Sequence, residues 1–307
     1  MIPRTAHFVC LGQDLSWAHA LSIHSALARG GFDRALLHHS QDLARSAGYA
    51  ALDGLVGFEA IRLEALVADE APEARALRQV LTELDRTSAR EDVVRAALLW
   101  QHGGVFLSLD TVAVSSFDDV FARNEFFCGE SATTRPSSNS KRSFVAAAVR
   151  KRLGRALERA PRAASRAAEF WPKVASPAVM GAPAQDPFVG RLLAAMAHAH
   201  VEERRKPGAL GSDILESVLN KSRTGTVLYP STVFDPCGGP RASWWFHDPS
   251  PTTLSALKSR ETLTLRWHQE IAPRQIVAII DAEALSKLKI GHLFSALAAD
   301  LKAAQTP

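Results

Sequence analysis

The sequence has few cysteines and no long apolar run, and both absences exclude whole classes of protein. Its three cysteines, Cys10, Cys128 and Cys237, are scattered and form no C-x-x-C pair, which argues against a structural zinc site or a disulfide framework. No apolar stretch approaches the roughly 20 residues that a transmembrane helix needs. The first residues contain no apolar signal-peptide core, so we expect a cytoplasmic protein in a reducing compartment.

Internal repeats and glycine-rich nucleotide-binding loops are also missing. Neither a G-x-G-x-x-G motif nor a phosphate-binding loop occurs in the sequence. The formal net charge of +4 is too small to indicate nucleic acid as a partner. At 307 residues, 47% of them hydrophobic and 22% charged, the chain has the composition of an ordinary globular protein with one large domain or two modest ones.

The order of predicted elements indicates an α/β fold. Short apolar runs predict strands at residues 7–12, 34–39 and 58–64. Helical spacing predicts a helix from Ser16, its N-cap, to a glycine pair, and another over residues 72–85. Alternating strands and helices favour a mainly parallel sheet flanked by helices, in which ligands bind at the carboxyl ends of the strands.

A helix, a glycine pair and a strand are predicted in the segment AREDVVRAALLWQHGGVFLSLDTVAV. Ser88 and Glu91 fit a capping box, so we expect the helix to begin at Ser88. In the strand VFLSLDTVAV, Ser108 and Asp110 are two residues apart and therefore share one face. Asp110 lies toward the carboxyl end of this strand, where its carboxylate avoids a desolvation cost if it meets a cation or a hydrogen-bond donor.

This segment resembles the SD-x-x-R … GG-x-Y-x-D-x-D core of glycosyltransferases with the GT-A fold. The group it is most similar to is the DxD sugar-binding-region family, which includes α-1,4-galactosyltransferase and α-1,6-mannosyltransferase relatives. The resemblance implies that Asp92 and Arg95 contact the donor sugar. It also implies that Gly103 and Gly104 permit a close approach of the backbone to the donor, which would be a UDP-sugar.

The same resemblance implies a divalent cation, Mn²⁺ or Mg²⁺, that bridges the diphosphate of the donor. Asp110 matches the second acid of the DxD motif, whereas Ser108 replaces the first and Phe106 replaces the usual tyrosine. These cations often use only one or two carboxylates of the protein. The predicted metal site therefore consists of Asp110 and His268, which lies in the C-terminal segment TLRWHQE. It is an altered site, because the chain has SxD where the family has DxD.

Each of these residues also has a structural interpretation. Asp92 and Arg95 are three residues apart on a helix, a spacing typical of surface ion pairs. Asp110 also fits a side-chain cap of the turn that follows it. His268 is one of eleven histidines, and a single histidine is more often structural than a metal ligand.

The region after the predicted metal-site strand departs from an ordinary GT-A core. Residues 129–142 predict a polar loop, and residues 141–173 predict a basic helical insertion that Pro161 should break or kink. An apolar stripe recurs at every fourth residue of this helix, at Val145, Val149, Leu153 and Leu157. The basic face fits either a solvated surface or one that contacts an acidic glycan, a lipid-linked acceptor or an anionic inner membrane; nucleic acid ranks last because aromatic residues are not interleaved with the charges.

Two functional hypotheses follow from the sequence. The first is a glycosyltransferase that retains anomeric configuration, as the resemblance implies, with a nucleotide-sugar-binding core at residues 1–128, the insertion at 129–175 and an acceptor-side part of the same domain at 176–307. The second is a non-catalytic glycosyltransferase-like protein. It is favoured by the departures from the family pattern at Cys10, where relatives carry a tryptophan, and at Phe106 and Ser108.

Overall fold

A computed structural model gives the fold and describes residues 1–12, 14–52, 54–61, 72–84, 87–132, 153, 161–271 and 292–303. No helix within these ranges is both long and apolar enough to cross a membrane.

The strands form one large sheet and one small sheet. The large sheet contains β1 (Thr5–Cys10), β2 (Arg34–His39), β3 (Gly57–Ala60), β4 (Gly104–Leu107), β6 (Phe126–Ala132), β7 (Lys173–Ala182) and β8 (Thr226–Tyr229), and the small sheet contains β5 (Thr111–Ala113) and β9 (Thr264–Arg266). The order in the large sheet is β3-β2-β1-β4-β7-β6-β8. Strand β7 runs antiparallel to β4 and β6, whereas the other pairings in this sheet are parallel.

Helices cover both faces of the large sheet. They are α1 (Trp17–Arg29), α2 (Ala74–Glu83), α3 (Thr87–His102), α4 (Asp118–Phe121), α5 (Pro161–Glu169), α6 (Pro187–His198), α7 (Val201–Arg204), α8 (Ile214–Lys221), α9 (Ser231–Phe234), α10 (Leu254–Leu257) and α11 (Leu293–Ala303). A π-helical turn at Ala209–Asp213 precedes α8, and a 3-10 helix spans Gly239–Phe246.

Alternation along the central strands divides the core into two layers. Phe8 of β1 packs with α1 and α4, whereas Val9 packs on the opposite face with α2, α3, α6 and α8. Burial of both faces explains why the strands contain nearly continuous apolar runs rather than an alternation with polar residues. The predicted α/β class, with a mainly parallel sheet flanked by helices, is confirmed.

The structure agrees closely with the prediction for the first helix and less closely for other elements. The Ser16 hydroxyl accepts a hydrogen bond from the His19 N–H at 3.2 Å, as expected of an N-cap, and α1 ends at Arg29 before the glycine pair. Helix α3 is described from Thr87, one residue before the predicted start, and residues 85 and 86 lie outside the described residues. Strand β3 ends at Ala60, and residues 62–64 of the predicted strand lie outside the described residues.

The strand predicted to carry Ser108 and Asp110 is in fact two short strands joined by a turn. Strand β4 ends at Leu107, and the Thr111 N–H then bonds to the Ser108 carbonyl at 2.9 Å. The pairing of β4 with β7 extends one residue past Leu107, where the Ser108 N–H donates to the Ala178 carbonyl at 2.8 Å. The chain then turns out of the ladder, so Ser108 and Asp110 lie in a turn rather than on one strand face.

The region predicted as an insertion is described only in part. Its first residues, 129–132, belong to β6 rather than to a polar loop, and most of the predicted basic helix lies outside the described residues. Helix α5 is described from Pro161, where we expected a break, and residues 154–160 lie outside the described residues. The predicted boundaries at 129 and 175 fall within β6 and β7, so the three predicted segments contribute to a single sheet.

Candidate functional site

The order of strands defines one topological switch point at the carboxyl edge of the large sheet. Strand β1 pairs in parallel with β2 on one side and with β4 on the other, so the chain order reverses between β1 and β4. In sheets of this type, ligands bind outside the carboxyl ends of the strands at such a switch point. The segment after Cys10 and the turn at 108–110 flank this switch point, and we call the binding position expected between them the crevice.

Asp110 is the most buried carboxylate at this edge. Its side chain is fully inaccessible to solvent and accepts three hydrogen bonds. Ser108 donates its hydroxyl to Oδ1 at 2.6 Å, and the Arg266 Nε–H and the Gln269 backbone N–H donate to Oδ2 at 3.0 and 3.1 Å. The serine is thus a direct partner of the carboxylate. These donors and the guanidinium charge offset the desolvation of Asp110.

The small sheet brings Arg266 to Asp110. Thr111, the first residue of β5, lies opposite Arg266 in the register of β5 with β9. The guanidinium also contacts Glu270, with 3.2 Å between Nη2 and Oε2. The segment after β9 is held on its other side by a hydrogen bond of 3.0 Å between the His19 ring and the Gln269 side chain. Arg266 is therefore fixed between two carboxylates at the crevice.

His268 lies between Asp235 and the same Glu270 carboxylate that contacts Arg266. Its Nε2 lies 2.9 Å from Asp235 Oδ1, and its Nδ1 lies 3.4 Å from Glu270 Oε1. Burial opposes protonation of the ring, but the Asp235 carboxylate outweighs burial and raises the pKa of His268 to about 9. Ser131 donates its hydroxyl to the second oxygen of Asp235 at 2.6 Å. His268 also adopts a left-handed backbone, with φ of 54°, which indicates a tightly constrained loop.

The side chains at this site do not fit a divalent cation as its ligands. Both oxygens of Asp110 are occupied by protein donors, and one of those donors is the Arg266 cation. Both ring nitrogens of His268 face carboxylate oxygens, as N–H donors do, whereas a metal ligand must present a free lone pair. Within the described ranges, no group of three or more His, Cys, Asp or Glu side chains is arranged to hold a metal ion.

Asp92 and Arg95 form a buried ion pair on the α3 side of the sheet. The distance from Arg95 Nη2 to Asp92 Oδ1 is 2.8 Å, and only about a tenth of each side chain is exposed. Arg95 also donates to the Pro177 carbonyl at 2.7 Å, and its guanidinium lies 4.8 Å from the centre of the Phe106 ring. The pair is therefore not the solvated surface pair that the helical spacing alone would indicate. The Phe106 ring packs against the Arg95 guanidinium.

Glu91, which the sequence interpretation assigned only to a helix cap, lies beside the switch point. Its carboxylate accepts a hydrogen bond from the Leu11 backbone, at the end of β1. Burial raises the pKa of Glu91 to about 7, against the opposing effect of the Arg95 charge, and the nearby Asp110 charge adds to the increase. Glu91 thus interacts with both the Arg95 group and Asp110. Its position in the sequence, next to Asp92 and one helical turn before Arg95, could have indicated that it belongs to the same group of residues.

Gly103 and Gly104 lie at the opposite end of β4 from the crevice. Their φ angles are 63° and 94°, and a Cβ on Gly103 would lie 2.6 Å from the Ala184 nitrogen. A Cβ on Gly104 would lie 2.7 Å from the Thr5 carbonyl oxygen. At about 3.3 Å per residue, β4 separates the pair from its own carboxyl end by about 10 Å. The glycines are needed by the turn into β4, and a close approach to the donor at these positions stays a prediction.

Cys10 faces the interior and not the crevice. Its side chain is fully buried and packs in the same core layer as Phe8. Burial raises the pKa of the Cys10 thiol to about 12. A stacking contact with a nucleotide base is therefore not available at this position.

Comparison with known proteins gives only distant structural matches. No family model and no curated protein sequence matches the chain. Among solved structures, the PaToxG glycosyltransferase matches at 15% identity over 72% of this chain and 69% of its own, with a TM-score of 0.43. The UDP-bound glycosyltransferase domain of the YGT toxin matches at 10% identity over 74% and 79%, with a TM-score of 0.42. Mouse xyloside xylosyltransferase 1 matches at 13% identity over 76% and 86%, with a TM-score of 0.45. Likeness at this level does not decide the function of this chain.

Proposed function

We propose that this protein is a glycosyltransferase that binds a UDP-sugar in the crevice between β1 and β4 and transfers the sugar to an acceptor. One observation carries the proposal. Asp110, the residue that completes the glycosyltransferase-like sequence pattern, follows β4 directly at the switch point of the sheet, where ligands of such sheets bind.

Two groups of residues near the switch point differ in chemistry and suit different parts of the donor. On the α3 side, Asp92, Arg95 and Glu91 supply hydrogen-bonding groups for sugar hydroxyls. On the β9 side, Arg266 and His268 supply N–H donors for the negatively charged diphosphate. A glycosyltransferase requires both kinds of group, because the sugar must be held while the diphosphate departs.

The experiment is to measure release of UDP from a panel of UDP-sugars, with and without candidate acceptors. Asp92→Asn keeps the shape of the side chain but removes its charge, so we expect kcat/KM to fall at least about tenfold, which corresponds to about 1.4 kcal/mol. The control is Glu125→Gln, because Glu125 is exposed and precedes β6 at the opposite edge of the sheet. Equal rates for the Asp92→Asn protein and the parent protein would refute the proposed donor contact. Proton NMR of the product would test retention of configuration.

A non-catalytic role is the second candidate, and the closed state of Asp110 favours it. In this alternative, the chain binds a nucleotide sugar or a protein partner without turnover, and the Arg266–Asp110 pair is purely structural. Binding of UDP-sugars in calorimetry, with no release of UDP for any donor and acceptor tested, would support this alternative over the glycosyltransferase.

A further inference from the structure

We propose that Arg266 and His268 replace the divalent cation, so that this crevice binds the diphosphate of a nucleotide without metal, at the position that the Glu270 carboxylate now occupies. The inference rests on the proposed function, and it departs from the metal that the sequence resemblance implies.

The first step concerns Asp110, which is not available to a metal ion. Its two oxygens already accept three hydrogen bonds, and its side chain has no exposed surface. A divalent cation would have to displace the Arg266 guanidinium, which lies 3.0 Å from Oδ2, and would then face that positive charge at short range. The cation next to Asp110 is therefore supplied by the chain itself.

The second step concerns Glu270, which bridges the two cationic side chains as an anionic ligand would. Its Oε2 lies 3.2 Å from Arg266 Nη2, and its Oε1 lies 3.4 Å from His268 Nδ1. A carboxylate in this position stands in for a phosphate group, because both present two oxygens to the same pair of N–H donors. The site thus has the donors and the spacing for a phosphate anion.

The third step is that the Glu270 side chain can rotate away while Arg266 and His268 remain in place. Half of the Glu270 side chain is exposed, at 50%, whereas the other carboxylates of Arg266 and His268 are buried, Asp110 at 0% and Asp235 at 5%. Asp110 keeps Arg266 in place, and Asp235 keeps His268 in place. Rotation of Glu270 toward solvent would expose two fixed N–H donors to an incoming diphosphate.

The test is calorimetric titration of UDP, and separately of inorganic pyrophosphate, into the protein in EDTA and in Mn²⁺. We expect the parent protein to bind both ligands in EDTA. Glu270→Ala removes the competing carboxylate and should tighten binding about tenfold, the effect of one charge-assisted hydrogen bond. The matched control is Glu261→Ala, because Glu261 is an exposed glutamate on the same segment that contacts neither cation.

A loss-of-binding variant complements this gain. Asp110→Asn combined with Arg266→Gln removes the cation without leaving a buried charge, and it should abolish UDP binding in EDTA while the protein remains folded. Binding that requires Mn²⁺, with weaker binding by Glu270→Ala, would overturn the metal-free inference and leave the glycosyltransferase proposal intact. Failure to bind UDP with or without Mn²⁺ would overturn both.

Discussion

Replacement of Arg266 by glutamine tests how strongly the chain depends on a cation beside Asp110. In the parent protein, the guanidinium of Arg266 neutralises a carboxylate that has no contact with solvent. In the Arg266→Gln variant, Asp110 keeps its hydrogen bonds from Ser108 and Gln269, at 2.6 and 3.1 Å, but loses its counter-charge. We therefore expect a large loss of stability.

The structure sets the size of this loss. Removal of one partner from a buried ion pair typically costs about 3–5 kcal/mol, because the other charge stays buried and uncompensated. The two remaining hydrogen bonds and the 19% exposure of the Arg266 side chain place the expected value at the lower end, about 3 kcal/mol. Most domains have a free energy of unfolding of about 5–15 kcal/mol, so the variant should still fold.

A double-mutant cycle in urea unfolding measures the pair directly. Asp110→Asn alone should cost about 1–2 kcal/mol, because Arg266 keeps its contact with Glu270. The double variant should be more stable than Arg266→Gln, with a coupling energy of at least about 2 kcal/mol. Arg45→Gln, at an exposed arginine, is the control and should change stability by less than about 0.5 kcal/mol. A coupling energy near zero would refute the claim that Arg266 serves as the counter-ion of Asp110.

Three further predictions concern other parts of the molecule. Burial lowers the pKa of His7 to about 3 and that of His38 to about 4, so both rings are neutral in the folded protein near pH 7. In the unfolded chain both rings take up a proton below their ordinary pKa of 6.5, so the free energy of unfolding should fall by up to about 1.4 kcal/mol per pH unit for each histidine as the pH drops below 6.5. Urea unfolding from pH 7 to pH 5 should show a shallower fall for His38→Gln than for the parent protein, and parallel curves would contradict the assignment. Gly103→Ala should destabilise the protein by more than about 1 kcal/mol, because φ is 63° and the Cβ would meet Ala184; an unchanged urea midpoint would contradict this. The triple variant Arg150→Glu, Lys151→Glu and Arg152→Glu reverses charge in the basic segment; it should no longer sediment with anionic vesicles, and its melting temperature should be unchanged. Unchanged sedimentation would favour a solvated face.

Local patterns were sufficient to predict the first elements of the fold. The apolar run of β1, the Ser16 cap of α1 and the alternation of strands and helices depend on neighbouring residues, and all three predictions agree with the structure. The end of β4 was not predictable in this way. It depends on the turn that the Thr111 N–H closes onto the Ser108 carbonyl and on the pairing of β5 with β9, which is distant in sequence.

The candidate site depended even more on contacts distant in sequence. Arg266 is 156 residues from Asp110, and only the pairing of β5 with β9 brings them together. The ion pair of Asp92 and Arg95 fits a surface helix by its spacing, but it is buried because β7 and the π-helical turn pack over it. Residue types indicated a candidate ligand site, but they did not indicate which charges the chain itself neutralises.

The most direct test of the account is a crystal structure of the protein with UDP, grown in EDTA. We predict that UDP lies in the crevice between β1 and β4, with its diphosphate within hydrogen-bonding distance of Arg266 and His268 and the Glu270 side chain turned toward solvent. A structure in which UDP binds away from this crevice, or in which Glu270 still bridges Arg266 and His268 while the nucleotide is bound, would contradict the account.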